Sequence, residues 1–218
     1  DPGKLLETQD LTKVYKIGGL ILGKRLVAVD NVNLALRSDK PSILSLVGES
    51  GSGKTTVARM MLRLVDPTHG DAYIDGKHLF TRERMNTSDF RRLVQPIFQN
   101  PFESFSLHKP VDSYLFETAR NVAGAQNRAE AEELVQKNLV SVGLDMSTVQ
   151  GKYTNQFSGG ELQRISIARA LIPQPKLIIA DEPVSMIDAS LRMNIVNLFL
   201  ELKEKREVSF LYITHDLS

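Results

Sequence analysis

Cysteine is absent from the 218-residue sequence. Its absence excludes disulfide bonds, thiolate metal sites and a cysteine nucleophile, and it favours a reducing compartment. No stretch approaches the roughly 18 uninterrupted apolar residues that a membrane-spanning helix needs. The first residues, DPGKLLETQD, lack the pattern of a signal peptide. We therefore expect a cytoplasmic protein, and the missing initiator Met predicts a trimmed or tag-derived start.

An excess of charge of either sign is also missing. The 27 Lys and Arg residues and the 26 Asp and Glu residues give a net charge of +1, too little for the basic field of a nucleic-acid-binding protein. The local run of Arg82, Arg84, Arg91 and Arg92 is expected to be a solvated face. With 42% hydrophobic residues and no repeat or low-complexity segment, the chain is typical of a globular domain with room for a small inserted subdomain.

The first region, residues 4–80, consists of short apolar or alternating runs broken by Gly, Asn and Asp, which predicts strands and hairpins. One run differs, because SILSLVG (42–48) leads through a Gly-rich turn into KTTVARMMLRLV (54–65). The apolar residues at helical spacing in the latter are Val57, Met60, Met61 and Leu64. This region therefore contains a strand, a glycine-rich loop and a helix in succession.

Helical signals dominate the middle of the chain. From about 102 to 144 we predict an inserted helical subdomain, with a capping box formed by Asn127 and Glu130 and a helix end at Gly143. ELQRISIARALI (161–172) predicts a further helix, which Pro173 ends. The apolar positions assigned to one face of that helix are 162, 165, 168 and 172.

The last part of the chain predicts a strand, a helix and a second strand. The runs KLIIADE (176–182) and VSFLYITH (208–215) have the composition of buried strands. Between them, SLRMNIVNLFLELKEK (190–205) has the composition of a helix. Because parallel strands need such a crossover, this order predicts a parallel sheet and an α/β fold.

The loop GESGSGKT (48–55) fits the phosphate-binding pattern G-x-x-x-x-G-K-[ST] at every fixed position. Its glycines let backbone N–H groups turn towards an anion at the start of a helix. Lys54 is predicted to reach the β- and γ-phosphates, and the Thr55 hydroxyl to ligate Mg²⁺. The flanking strand and helix are the context that this motif requires. The sequence thus predicts binding of a nucleoside triphosphate with Mg²⁺.

The run LIIADE (177–182) brings two carboxylates to the carboxyl end of a strand, where ligands bind in α/β sheets. Asp181 is predicted to hold the Mg²⁺ shell, and Glu182 to act as general base on the attacking water. Taken alone, a strand that ends in Asp-Glu is more often ordinary turn chemistry. The complete phosphate loop favours the catalytic interpretation.

The segment FSGGELQR (157–164) resembles the signature sequence of ABC-type ATPases. Further matches follow the family's order over nearly the whole chain: Tyr15 for the ring that stacks on adenine, Gln99 for the Q-loop, Ser185 to Asp188 for the D-loop and His215 for the switch histidine. Single residues also have structural interpretations. Tyr15 is compatible with a half-buried strand tyrosine, Gln99 with a solvated loop residue and His215 with a hydrogen-bonded strand-end imidazole.

The resemblance implies an α/β P-loop NTPase core with a mostly parallel sheet, an N-terminal antiparallel β subdomain and an inserted helical subdomain. Residues 1–218 would form a single domain, with the core and β subdomain at about 4–100 and 158–218 and the helical subdomain at about 102–157. The implied catalytic residues are Glu182, His215 and Gln99, and the implied Mg²⁺ ligands are Thr55, Gln99 and Asp181. The implied ATP-binding residues are Tyr15, Gly48, Glu49, Ser50, Gly51, Ser52, Gly53, Lys54, Thr55, Thr56, Ser158, Gly159 and Gly160.

Within the family, the motifs QNPFESF and DEPVSMIDASLR and the long segment KIGGLILGKRLVAVD are most similar to the ATPase subunits of oligopeptide and dipeptide importers. Three features depart from the usual pattern: Phe157 replaces leucine, Glu161 replaces glutamine, and Met186-Ile187 replaces Ala-Leu. Glu161 brings a negative charge near a predicted phosphate site. Because family members continue for tens of residues past the switch histidine, we also expect a missing C-terminal extension.

The function implied is that of the ATP-hydrolysing subunit of an ABC importer, peripheral on the inner face of the cell membrane. Its partners would be membrane permease subunits and a second ATPase subunit, identical or related, with no nucleic acid. The groove for the permease is assigned to the helical subdomain and the Q-loop with Phe98, Phe102 and Phe105, although such residues are often core. Ser158 and Gly160 open a helix and would meet the phosphate held by the other subunit.

Two other functions fit parts of the pattern. A soluble ABC-type ATPase acting on DNA or ribosomes would usually carry a long coiled-coil insertion, a second ATPase domain or zinc-ligand cysteines, and the sequence has none of these. A regulatory module that binds nucleotide without turnover would be expected to lose Glu182 or His215, and both are present. The transported solute is not encoded in these motifs.

Overall fold

The structure is a computed structural model that describes residues 3–18 and 23–215. Its strands are β1 (Lys4–Ile17), β2 (Lys24–Val32), β3 (Ala35–Arg37), β4 (Ile43–Val47), β5 (His69–Ile74), β6 (Lys77–His78), β7 (Val94–Ile97), β8 (Leu177–Asp181) and β9 (Ser209–Thr214). Its α-helices are α1 (Lys54–Met61), α2 (Thr87–Leu93), α3 (Val111–Asn121), α4 (Arg128–Ser141), α5 (Met146–Val149), α6 (Gly159–Leu171) and α7 (Ala189–Arg206). Short 3₁₀ helices occur at Pro101–Ser104 and Thr154–Gln156.

The first strands form an antiparallel sheet in the order β2-β1-β5-β6, with β3 also paired to β1. The hairpin between β5 and β6 turns at Asp75 and Gly76, whose φ angles are 50° and 72°. Positive φ at both central residues is typical of a type I′ turn, whose twist matches that of the strands, and Asp-Gly favours it. The predicted N-terminal antiparallel subdomain is confirmed.

The other strands form a parallel sheet in the order β4-β9-β8-β7. Its inner strands β8 and β9 are buried on both faces, as strands of parallel sheets usually are. In β8, Leu177 and Ile179 belong to a core shared with α1 and the antiparallel sheet. Ile178 and Ala180 belong to a second core shared with α6, α7 and the inserted helices. The predicted α/β class and its parallel sheet are confirmed, and the sheet forms the wall between the two cores.

Two helix predictions are wrong in part. Helix α1 ends at Met61, and Leu64 lies beyond it with 62% of its surface exposed. The helix stops because Arg63 adopts a left-handed φ of 59°, a common way of ending a helix. Helix α6 was expected to bury one face, yet Gln163 and Ile167 are also fully buried. Because α6 contacts α3, α4 and β7, protein surrounds it on several sides.

The inserted region is helical, as predicted. Asn127 caps α4 by accepting a hydrogen bond from the Glu130 N–H at 2.9 Å. The reciprocal half of the expected capping box is shifted, because the Glu130 carboxylate accepts from the Gln126 N–H at 2.7 Å. Gly143 has a left-handed φ of 78° and its N–H donates to Val140 O at 3.0 Å, which confirms the predicted helix end.

Candidate active site

The glycine-rich loop connects the end of β4 at Val47 to the start of α1 at Lys54. Gly51 and Gly53 have positive φ angles of 82° and 94°, which side chains disfavour. Gly53 is needed for a second reason, since a Cβ atom there would lie 1.9 Å from the carbonyl oxygen of Ala28. The glycine therefore allows β2 of the antiparallel sheet to contact the loop directly.

The Lys54 side chain lies within this loop, with 7% of the residue exposed. Its ammonium group donates to the carbonyl oxygen of Gly48, to that of Glu49 at 2.6 Å and to Ser52 Oγ at 3.2 Å. All of these acceptors belong to the loop itself. The positive charge is thus held at the centre of the predicted phosphate site.

The predicted metal ligands Thr55 and Asp181 lie side by side, with Thr55 Oγ1 and Asp181 Oδ1 separated by 3.4 Å. Burial raises the pKa of Asp181, and the charge of Glu182 adds to the effect, while the Thr55 hydrogen bond opposes it. A carboxylate whose charge is disfavoured in this way gains from a nearby cation. Within residues 3–18 and 23–215, no group of three His, Cys, Asp or Glu residues could hold a metal. A hydroxyl and one carboxylate fit Mg²⁺, which takes its other ligands from water and phosphate.

The three predicted catalytic residues meet at one oxygen atom. Glu182 Oε2 lies 3.0 Å from His215 Nδ1 and 3.4 Å from Gln99 Nε2. Each residue follows a different parallel strand, with Gln99 after β7, Glu182 after β8 and His215 after β9. The carboxyl ends of parallel strands lie at one edge of a sheet, and the glycine-rich loop borders the same edge. A ligand is expected to bind there.

Glu182 has a left-handed backbone, with φ of 46°. This conformation costs a residue with a side chain about 1–3 kcal/mol. It is held by a hydrogen bond from the Glu182 N–H to Ile213 O at 2.8 Å and by one from Ser185 Oγ to Glu182 O at 3.0 Å. The surrounding strands therefore fix the direction in which this carboxylate leaves β8.

Tyr15 lies near the end of β1, half-buried, and pairs with Leu26 of β2. The loop contact at Ala28 belongs to the same strand β2, two residues further on. The Lys13 ammonium lies 5.3 Å from the centre of the Tyr15 ring. The tyrosine is thus on the sheet that borders the glycine-rich loop, and adenine stacking on its ring stays a prediction.

The signature residues open α6, with Ser158 as its N-cap and Gly159 as its first residue. A Cβ atom on Gly159 would lie 3.5 Å from Met186 O, and one on Gly160 would lie 3.4 Å from Leu191 Cδ1. The segment therefore packs on the D-loop and α7. In the described parts of the chain, no hydrogen bond or ion pair joins residues 158–160 to the loop 48–56.

Comparison with known proteins identifies the family. A model of the ABC transporter family matches residues 29–185, well over half of the chain. The chain belongs to the ABC transporter family. This ABC-family chain is 39% identical to the oligopeptide transport ATP-binding protein AppF of Bacillus subtilis, over 98% of its own length and 65% of AppF. It is 38% identical to the oligopeptide transport ATP-binding protein AmiF of Streptococcus pneumoniae, over 99% and 68% of the two chains.

The fold comparison agrees. The ABC-family chain matches a dimeric ATP-binding cassette solved in a post-hydrolysis state with ADP and Pi, at a TM-score of 0.79 and 27% identity. The match covers 97% of this chain and 88% of that cassette. The chain spans 65% of AppF, less than two thirds of that relative's length.

One buried residue of this ABC-family chain escaped the sequence analysis. Gln163 on α6 is fully buried, and its side-chain amide donates to the carbonyl oxygens of Pro183 and, at 3.4 Å, Phe98. These residues adjoin Glu182 and Gln99, two of the predicted catalytic residues. Gln163 therefore connects the signature helix to both loops. The sequence gives no specific signal for this burial, because α6 also contains the polar residues Glu161, Arg164, Ser166 and Arg169.

A groove lies between α2, β7, α3 and α6 of the ABC-family chain, with a volume of about 650 Å³. Phe98, 43% exposed, and Phe105, 3% exposed, line it, whereas Phe102 lies outside it near Gly159. Phe105 belongs to the core, as the alternative interpretation of these phenylalanines has it, and a role of the groove in binding a permease stays a prediction. Four arginines also line this groove: Arg63, Arg84, Arg91 and Arg169.

The described residues include no helix long and apolar enough to cross a membrane. The run of arginines predicted to be solvated is exposed at each position: Arg82, Arg84, Arg91 and Arg92.

Of the D-loop substitutions, Met186 is 55% exposed and Ile187 is 4% exposed. Ile187 thus supplies a core side chain, while Met186 faces outward.

Proposed function

We propose that the chain binds and hydrolyses ATP as the ATPase subunit of an ABC importer of peptides or related small solutes. The observation that carries this proposal is the meeting of Gln99, Glu182 and His215 beside the Thr55–Asp181 pair, at the edge that the phosphate loop borders. The names of AppF and AmiF support a peptide importer. In this proposal, the segments at about 4–100 and 158–218 form the ATPase core with its β subdomain, and about 102–157 form the helical subdomain.

The phosphate loop would bind ATP through its backbone N–H groups and Lys54, whose ammonium group exchanges loop carbonyls for β- and γ-phosphate oxygens. Thr55 and Asp181 would hold Mg²⁺, with Gln99 reaching the same region. When bound, Mg²⁺ supplies neutralisation of the charge that develops on the transferred phosphoryl group.

Glu182 would orient the attacking water and accept its proton. The geometry explains how the carboxylate is aimed, because His215 Nδ1–H and Gln99 Nε2–H both donate to Oε2. The second oxygen, Oε1, has neither of these donors and is available to water. His215 and Gln99 would thereby act as positioning groups as well as contacts of the γ-phosphate.

We infer that catalysis needs two chains. Among the described residues, no hydrogen bond or ion pair joins the start of α6 to the phosphate loop, and a structural relative is a dimeric cassette. In a dimer, Ser158 and Gly160 of one chain would face the γ-phosphate on the other chain's loop, so that each site has two halves. The second chain would be a copy of this one or a related ATPase.

Mixing two disabled variants tests this inference. A Lys54→Ala variant lacks the loop cation and a Ser158→Ala variant lacks the signature hydroxyl, so neither forms an intact site alone. A mixed dimer contains one site with both halves intact. Mixing should therefore restore part of the wild-type ATPase rate, measured as phosphate release.

The matched control replaces Ser158→Ala with the double variant Lys54→Ala/Ser158→Ala, which leaves every site without the lysine and should restore nothing. Full activity of Ser158→Ala as a dilute monomer would overturn catalysis in trans. Mixed dimers that form but stay inactive would also overturn catalysis in trans, and a failure of the two variants to form mixed dimers would overturn pairing of this chain with itself.

We also propose that a permease segment docks in the groove lined by Phe98 and that this contact holds the chain on the inner face of the cell membrane. The four arginines of the groove have no carboxylate within ion-pair distance among the described residues. Burial, and then the charge of Arg84, lower the pKa of Arg63, and the charge of Asp66 opposes them. A segment that presents apolar side chains and carboxylates fits such a surface.

Charge reversal at Arg91, an exposed residue of the groove, should weaken this contact. We expect Arg91→Glu to reduce co-purification with co-expressed permease subunits by about tenfold or more, since like charges across an interface cost several kcal/mol. Arg120→Glu, on an exposed α3 position outside the groove, is the control. Equal co-purification of both variants with wild type would exclude this groove as the docking surface.

A further inference from the structure

The start of α6 is occupied by a carboxylate of the same chain. Glu161 Oε2 accepts hydrogen bonds from the Ser158 N–H at 2.8 Å and from the Ser158 hydroxyl at 2.9 Å. Ser158 Oγ in turn accepts from the Glu161 N–H at 3.2 Å, which completes a capping box. A serine hydroxyl has a single proton to donate. The donor that Ser158 would offer to a phosphate is therefore already used.

The electrostatic surroundings favour this internal contact. The positive end of the α6 dipole attracts an anion, and the anion bound there is the Glu161 carboxylate. The hydrogen bonds from Ser158 lower the pKa of Glu161, and the charge of Lys152 lowers it further. The carboxylate thus stays ionised at neutral pH, and its negative charge offsets the positive end of the α6 dipole.

A second departure from the family sequence lies in the same cluster. The Lys152 ammonium lies 5.9 Å from the centre of the Phe157 ring, within cation–π range. Phe157 and Glu161, which replace the usual leucine and glutamine, therefore share Lys152 as a neighbour. The lysine is held where it supports the ionised carboxylate.

We propose that Glu161 competes with the γ-phosphate of ATP for Ser158 and so sets the ATP concentration at which two chains pair. The inference rests on the trans site described under the proposed function. The Glu161 carboxylate and a γ-phosphate cannot both accept the single hydroxyl proton of Ser158. Two negative groups beside the same hydroxyl would also repel each other. Pairing over ATP then requires the Glu161 carboxylate to leave Ser158. Glu161 is a positioning residue in this scheme, since it acts through Ser158.

Replacing Glu161 with glutamine tests the effect of its negative charge separately from its role in capping α6. In Glu161→Gln the side-chain carbonyl can still accept from the Ser158 N–H, so the cap is kept. The negative charge is removed, and a neutral amide binds the hydroxyl less strongly than a carboxylate does. Alanine removes both the cap and the charge. The two variants therefore distinguish competition from a structural role.

The experiment compares ATP-dependent dimerisation of Glu182→Gln with that of Glu182→Gln/Glu161→Gln by light scattering across an ATP titration. We expect the second substitution to lower the half-maximal ATP concentration by about tenfold, while ATP affinity of the dilute monomer is unchanged because the phosphate loop is untouched. Glu130→Gln in the same background is the matched control. That glutamate also closes a helix start, at α4, and should have no effect on dimerisation.

Each other outcome contradicts the inference in a distinct way. An unchanged or higher half-maximal concentration with Glu161→Gln would show that the carboxylate does not compete. Weaker pairing in both Glu161→Gln and Glu161→Ala, accompanied by a lower melting temperature, would show that Glu161 acts only as a helix cap. If Glu182→Gln alone forms no ATP-dependent dimer, both the proposed pairing and this inference are wrong. If it does form the dimer but Glu161→Gln leaves the half-maximal ATP concentration unchanged, only the inference is wrong.

Discussion

Glu182→Gln is expected to bind ATP as tightly as the wild type and to hydrolyse it about 10²- to 10⁴-fold more slowly, the usual contribution of a general base. The amide keeps the size and hydrogen bonds of the side chain near His215 and Gln99 but cannot accept a proton from water. Because that transfer occurs only in the transition state, binding of the ground state is spared. Nucleotide titration and a phosphate-release assay measure the two quantities separately.

The chain offers a close control for this substitution. Glu207 also has a left-handed backbone, with φ of 53°, but it lies exposed at the end of α7, away from the catalytic edge. Glu207→Gln should leave both binding and turnover unchanged. Turnover of Glu182→Gln within about threefold of wild type, less than about 0.7 kcal/mol in activation free energy, would exclude a general-base role.

Lys54→Met is expected to lose ATP affinity by about a hundredfold or more and to show no measurable turnover. Charge-assisted hydrogen bonds contribute about 1.5–3 kcal/mol each, and Lys54 is placed to make more than one with the phosphates. Methionine preserves the apolar stem of a side chain that is only 7% exposed, so the fold should be retained. Fluorescence titration with ATP and a thermal melt of the same sample test these two expectations.

Lys176→Met serves as the control, since this lysine is 60% exposed and pairs with Asp75 on the surface. It should change neither ATP affinity nor turnover. Near-normal ATP affinity in Lys54→Met would contradict the assigned role of the loop lysine. A melt that shows unfolded protein would instead call for Lys54→Arg, which keeps the charge while changing its geometry.

The parts of the candidate site whose local structure the sequence patterns predict are those with local causes. The loop 48–55 needs only glycines, a lysine and a threonine between a strand and a helix. Asp181 and Glu182 are found because an apolar strand of five residues ends there. The conformations of Gly51 and Gly53 follow directly from their identity.

Features created by distant neighbours could not be predicted in the same way. The burial of Gln163 depends on β7 and the turn after β8, which come together with α6 only in the folded chain. The left-handed backbone of Glu182 is imposed by Ile213 on the next strand. The end of α1 before Leu64 follows from the conformation of a single arginine, for which hydrophobic spacing gives no signal.

The capping contact of Glu161 lies between these cases. The pattern Ser-x-x-Glu is a known helix start, and the two residues are only three positions apart in the sequence. Its importance arises from the family resemblance, which assigns the same serine to phosphate. The structure adds the observation that one carboxylate oxygen uses both donors of Ser158.

The strand order has a consequence for how the protein is made. Among the described strands, β4 is hydrogen-bonded only to β9, and residues Ser42 and Ser209 at this junction are 167 positions apart. Ribosomes add about 5–20 residues per second, so the strand before the phosphate loop waits roughly 8 to 30 s for its partner. Until then it presents an unpaired apolar edge, which invites aggregation. The edge that carries Gln99, Glu182 and His215 is therefore completed late in synthesis, and co-expression of a chaperone should raise the yield of folded chain.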